Sequence, residues 1–112
     1  MRVIRLCNIL KKKGHNTKIF IDKKSTFFKK FIFEYEEMYP KRFFFSNQNL
    51  DAKIFIKKII SKIKNKKTFI IVDDYRLNSK WEKKVSNKLK SKIISIDDFE
   101  NRKHFSDFII NP

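Results

Sequence analysis

Hydrophobic residues along this chain recur with both strand and helix spacing. The clearest strand signal is the apolar run 69–72, rich in β-branched residues, which is typical of a strand buried on both faces of a parallel sheet. After a polar interval, Trp81, Val85 and Leu89 recur every four residues, which predicts a helix whose single apolar stripe packs back on the sheet. The sequence therefore predicts a strand followed by a helix at the centre of the fold.

Polar residues mark where this strand ends and this helix begins. Asp73 and Asp74 follow the strand directly, and Asn78 and Ser79 are candidate N-caps. Glu82 stands three residues after Ser79, which is the spacing of a capping box.

The same reasoning predicts further elements on both sides of this pair. They are a helix over 3–10 ending at Gly14, a strand over 17–21, a helix from 22–25 to Tyr35, a strand over 41–45, a helix from Ala52 to Ile63, and strands over 92–96 and 107–110. Such alternation predicts an α/β fold, Rossmann-like, with a parallel sheet covered by helices on both faces. We expect one domain over residues 1–112.

The predicted order begins with a helix, whereas a doubly wound sheet begins with a strand that lies near its centre. We therefore expect a sheet lacking its usual first strand. Such a gap leaves unpaired backbone groups, so another polypeptide is a candidate partner to fill it. Direct pairing of strand 17–21 with strand 69–72 is the alternative.

Composition limits the classes of function. The 112 residues are 41% hydrophobic, enough for a packed core, and carry a formal net charge of +16. The excess positive charge comes from Lys residues spread over almost every segment. Arg and aromatic residues are not interleaved in one patch, so nucleic acid is an unlikely partner. No apolar run is long enough for a membrane span, and the single Cys7 fits a reducing cytoplasm.

Acidic residues follow two predicted strands, at the edge where α/β sheets gather ligands. Asp73 and Asp74 end one strand, and Asp97 and Asp98 end another. Carboxylates at strand ends could hold Mg²⁺, but Asp more often caps strands and forms turns, and we expect neither a metal nor a cofactor. Tyr75 lies at the same edge, either as a hydrogen-bonding group for a ligand or as a half-buried packing residue.

Two runs, IIVDDYRLNSKWEKKV and IISIDDFENRKHFSDFIINP, resemble the N-terminal domain of the UDP-sugar hydrolase of pseudaminic acid biosynthesis, which removes UDP from a 2,4-diacetamido-trideoxy-altrose. That family is similar to inverting glycosyltransferases with two Rossmann domains (GT-B). The stretch VIRLCNILKKKGHNTKIFI resembles the first helix and second strand of the family. The resemblance covers most of the chain and is strongest from Ile70 to Asn111.

The resemblance implies a UDP-sugar substrate at the carboxyl edge of the sheet. It makes Tyr75 a catalytic candidate, and the candidates for substrate binding are Asp73, Asp74, Asp98 and His104. A surface or structural histidine between a strand and the last segment is the alternative for His104. Arg2 stands where the family has its catalytic His, and the UDP-binding second domain has no counterpart here. We therefore expect a partial enzyme that is inactive alone. The alternative is a non-catalytic basic α/β module that binds a protein partner or RNA.

Overall fold

The computed structural model describes residues 2–21, 35–39, 45–64, 66–99 and 101–111. It divides into two compact units, Met1–Phe45 and Ser46–Pro112. Both combine helix with parallel strands, which confirms the predicted α/β organisation. The single domain over 1–112 stays a prediction, and so does a pairing of strand 17–21 with strand 69–72, because those strands belong to different units.

The first unit contains helix α1 (Arg2–Lys12) and strands β1 (Phe20–Ile21) and β2 (Glu36–Glu37). The predicted helix end is confirmed, because Gly14 has a φ of 91°, a left-handed conformation that glycine adopts without steric cost. Buried Ile4 and Cys7 of α1 pack with Ile19 in a small apolar cluster. One side of this helix therefore faces a small core.

Strand β2 was missed by the sequence analysis because Glu is disfavoured in strands. It forms because the backbone of this segment bonds to β1 in parallel register, with the Glu36 N–H donating to Ile19 O at 2.9 Å and the Met38 N–H to Ile21 O at 2.8 Å. The predicted strand 17–21 is shorter than expected, since only Phe20–Ile21 is paired. The predicted helix up to Tyr35 and strand 41–45 fall almost wholly outside the described residues.

The second unit contains helix α2 (Gln48–Ile59), strand β3 (Phe69–Val72), helix α3 (Ser79–Leu89), and strands β4 (Lys92–Ile96) and β5 (Phe108–Ile110). The strands form one parallel sheet in the order β3-β4-β5. The register pairs Val72 with Ser95 and Ile96 with Ile110. The carboxyl ends of β3 and β4 therefore lie side by side, as the sequence analysis expected.

Helices α2 and α3 pack on each other through Phe55 and Trp81, whose ring centroids lie 5.4 Å apart. The indole N–H of Trp81 donates to the buried Asp51 carboxylate at 2.7 Å, so the polar edge of this large ring is satisfied inside the core. Trp81 and Val85 are buried and Leu89 is half-buried, which confirms the predicted stripe.

Helix α2 ends four residues earlier than predicted. The Ile63 N–H still donates to Ile59 O at 3.2 Å, but the Lys62 N–H reaches the same carbonyl at 2.9 Å in a tighter turn. Such i to i−3 hydrogen bonds satisfy the last helical carbonyls while redirecting the chain. The apolar spacing continues past the helix, so it could not show where the helix ends.

Candidate functional site

Five polar residues of the second unit converge where β3 and β4 end. We call them the carboxylate–histidine network: Glu82, Ser95, Asp97, Arg102 and His104. Glu82 comes from helix α3 and Ser95 from strand β4. Asp97, Arg102 and His104 come from the 97–107 connection between β4 and β5. Glu82, Ser95 and Asp97 are almost fully buried, with exposed fractions of 0%, 1% and 1%.

Glu82 is the acceptor at the centre of this network. Its Oε2 accepts the hydroxyl of Ser95 at 2.7 Å and lies 2.7 Å from His104 Nδ1. Its Oε1 accepts the backbone N–H of Phe105 at 2.6 Å. Burying a carboxylate is costly unless it is hydrogen-bonded and paired with a cation, and Glu82 meets both conditions.

The capping box predicted for α3 is therefore wrong. Asn78 is the N-cap, and its side chain accepts the Lys80 N–H at 3.0 Å. The Glu82 carboxylate points toward the sheet, where it meets stronger donors than a helix terminus offers. Spacing alone could not separate these two roles, because a residue three positions after Ser79 faces either the cap or the core.

Asp97 occupies the other side of the imidazole. Its Oδ2 lies 2.7 Å from His104 Nε2, and its Oδ1 accepts the Phe99 N–H at 3.0 Å and lies 3.3 Å from Arg102 Nη2. The carboxylate thus binds a histidine, a guanidinium and a backbone amide of the connection that it begins.

His104 lies between the two carboxylates, with only 5% of its side chain exposed. Each ring nitrogen is 2.7 Å from a carboxylate oxygen, and with both carboxylates ionised the two hydrogen bonds form only when both nitrogens carry a proton. Burial by itself lowers the pKa of His104. The hydrogen bonds to Glu82 and Asp97 and the negative charge of both groups outweigh that effect, so the pKa is raised above its ordinary 6.5.

Arg102 connects the network to the turn after β3. Its Nη1 donates to the backbone carbonyls of Asp74 at 2.7 Å and Leu77 at 2.8 Å. Because Nη2 is also close to Asp97, one guanidinium holds together the residues that follow two neighbouring strands. A planar group with several fixed donors suits this bridging better than an ammonium group.

The turn held by Arg102 presents Tyr75 to solvent. Asp74 Oδ1 accepts the backbone N–H of Arg76 at 2.9 Å, and the Arg76 guanidinium also pairs with that carboxylate, at 2.6 Å between Nη2 and Oδ2. Tyr75 lies between these residues and is 73% exposed. Of the two alternatives for Tyr75, half-buried packing does not fit this exposure.

The predicted site residues are thus arranged in two layers. Tyr75, Asp73 and Asp98 are exposed at the carboxyl edge of the sheet, and Asp74 is half-buried in the turn. His104 lies inside, with both ring nitrogens hydrogen-bonded. That Asp73, Asp74, Asp98 and His104 bind substrate, and that Tyr75 is catalytic, stay predictions.

The network itself is unsuited to nucleophilic or base catalysis. The Ser95 hydroxyl donates to Glu82 and not to His104, so no histidine activates it. His104 has no nitrogen lone pair to accept a proton while both nitrogens donate. Among the described residues, no group of three or more His, Cys, Asp or Glu side chains is arranged to hold a metal ion.

Sequence reasoning missed Glu82, Ser95 and Arg102 as members of the site. All three lie within the two runs that carry the family resemblance. The clustering of polar residues in each run was the sequence signal from which contact between the two runs could have been predicted.

No family model matches the chain, and no match was found among curated proteins or solved structures. Within the part of the chain that the structure describes, no helix is both long enough and apolar enough to span a membrane.

Proposed function

We propose that the chain supplies the sugar-facing α/β unit of a UDP-sugar-processing protein, of the kind found in the hydrolase of pseudaminic acid biosynthesis. In this proposal the fold is the Rossmann-like N-terminal half of a GT-B arrangement, working in the cytoplasm. The proposal rests on the resemblance of two sequence runs. One structural observation supports it: Glu82 of the first run binds His104 and Phe105 of the second.

The network acts on the substrate indirectly in this proposal. Arg102 fixes the turn that carries Tyr75, and His104 fixes the connection that carries Arg102. The exposed phenol of Tyr75 and the carboxylates of Asp73 and Asp98 then hydrogen-bond sugar hydroxyls and the N–H groups of the acetamido substituents. With both nitrogens occupied, His104 has the role of a positioning residue.

Hydrolysis of the bond between the sugar and UDP requires two further groups. Release of UDP needs a base that orients water and donors that stabilise the departing diphosphate. By the resemblance, Arg2 stands where the family has its catalytic His, and it cannot act as a base because its guanidinium stays protonated. The 112-residue chain is therefore expected to bind the sugar weakly and to release no UDP on its own.

Saturation-transfer NMR with the UDP-linked 2,4-diacetamido-trideoxy-altrose tests this function. We expect transfer to sugar and acetamido protons, weakened by Tyr75→Phe and by Asp73→Asn, with no UDP released. The Tyr35→Phe variant removes a phenol hydroxyl of the first unit and serves as the matched control. Transfer that is absent, confined to the uridine protons, or equally weakened by Tyr35→Phe would contradict the proposal.

A further inference from the structure

A groove in the second unit lies at the opposite end of α3 from its N-cap. It has a volume of about 580 Å³ and is lined by residues from the ends of α2 and α3 and from the turns that follow them. Its apolar lining comes from Ile60, Ile63 and Leu89, and Ile60 is 42% exposed. We call it the lysine groove, after the four lysines around it: Lys64, Lys66, Lys88 and Lys90.

Lysine makes up the charged part of this lining. It accounts for four of the eight lining residues. None of the eight is acidic, and all four lysines are exposed. Clustered charges of one sign beside a low-dielectric surface raise the local potential and attract a partner of opposite charge.

No ion pair neutralises this cluster within the described ranges. Elsewhere two lysines do contact other side chains: Lys18 lies 3.8 Å from the Glu36 carboxylate, and Lys84 donates to the amide oxygen of Asn49 at 2.6 Å. The four groove lysines make no such contact with a described residue. Their charges are therefore available to a ligand.

Lys90 lies at the C-terminal end of α3, where a cation interacts favourably with the helix dipole but the backbone conformation favours glycine. It is the C-cap of α3 with a φ of 57°, the left-handed conformation that glycine adopts without cost. An L-amino acid with a Cβ is disfavoured there. The position thus carries a charge at the edge of the groove at some cost to the backbone.

We infer that the lysine groove binds an acidic protein segment carrying aliphatic side chains. Carboxylates of the segment pair with the lysines, and an aliphatic side chain lies against Ile60, Ile63 and Leu89. Nucleic acid fits less well, because single strands bind through aromatic stacking and Arg, and neither residue type is present among the lining residues. Surface pairs of this kind give specificity and fast association more than high affinity.

Fluorescence anisotropy with three labelled probes of equal length tests the inference. The probes are a peptide of alternating Glu and Leu, an oligo-Glu peptide and an oligo-uridine RNA, each at low and at physiological salt. We expect the Glu-Leu peptide to bind most tightly and to lose less affinity at physiological salt than the oligo-Glu peptide, because its leucines add apolar contacts that salt does not screen. An RNA that binds tighter than both peptides, or no binding by any probe, would overturn the inference.

Variants separate the groove from the overall charge. The groove triple variant, Lys64→Gln with Lys66→Gln and Lys88→Gln, should weaken Glu-Leu binding about tenfold. The control removes three exposed charges elsewhere, Lys12→Gln with Lys53→Gln and Lys57→Gln, and should change binding little. The single Lys90→Gly should weaken binding without loss of stability, so reduced binding cannot be ascribed to unfolding. Equal losses in the groove and control variants would show diffuse attraction and refute the groove.

Discussion

Glu82 Oε2 and His104 Nδ1 lie 2.7 Å apart, although the two residues belong to different elements and are 22 positions apart in the chain. The carboxylate is fully buried, and the imidazole bonds to Asp97 on its far side. This contact joins helix α3 to the connection between β4 and β5. It therefore couples the two sequence runs on which the proposed function rests.

Replacing Glu82 with Gln should destabilise the second unit by about 3 kcal/mol, because it breaks a buried ion pair and leaves the His104 cation with the single carboxylate of Asp97. An amide also cannot accept from Ser95, His104 and Phe105 together, since one of its two polar atoms is a donor. Urea unfolding followed by the fluorescence of the single Trp81 measures the loss.

Asp98→Asn is the matched control. It also replaces a carboxylate with an amide, but at an exposed residue of the 97–107 connection. We expect little change in its unfolding midpoint. Equal midpoints for the Glu82→Gln variant and the unsubstituted chain would show that the network contributes nothing to stability.

Much of the second unit could be predicted from the sequence, because its local signals agree with its packing. The strand Phe69–Val72 has the predicted bounds, and so does Lys92–Ile96. The apolar stripe on α3 could be predicted because Trp81 and Val85 are both buried in the core. The strands of the first unit were predicted less accurately, since Glu36–Glu37 forms a strand only through its pairing with β1.

Apart from His104, which the family resemblance named, the candidate site was predicted only at its exposed edge. Tyr75 and the Asp residues follow strands, so the general rule for parallel sheets was enough to place them. The network behind them could not be predicted, because it depends on which way Glu82 points and on how the connection after β4 folds back. These are long-range contacts that residue spacing does not encode.

Lys90→Gly should raise the free energy of unfolding by about 0.5–1 kcal/mol, because glycine removes the steric cost of a left-handed C-cap. Lys88→Gly is the matched control inside the last turn of α3 and should lower it by about 1 kcal/mol, since glycine is a poor helix former. Thermal unfolding of both variants provides the measurement. A stabilised Lys88→Gly or a destabilised Lys90→Gly would refute the assigned helix end.

Stability should depend on pH through His104. Its pKa is raised in the folded chain, so its stabilisation is complete below the unfolded value of about 6.5 and is lost as pH rises through the folded pKa. Each pH unit between those two pKa values is worth about 1.4 kcal/mol. His104→Gln should remove this dependence, and His15→Gln, at an exposed site in the other unit, should retain it. The unfolding free energy at a series of pH values above 6 decides between these outcomes.

The protonation of His104 is the most direct test of the carboxylate–histidine network, and ¹⁵N NMR of the imidazole measures it. The chain has two histidines, so a His15→Gln variant leaves a single imidazole to observe. The network predicts that both ring nitrogens carry protons at pH values above 6.5, where a histidine in an unstructured peptide is already mostly neutral. A neutral imidazole with one unprotonated nitrogen at pH 6.5 or below would contradict the double hydrogen bond to Glu82 and Asp97.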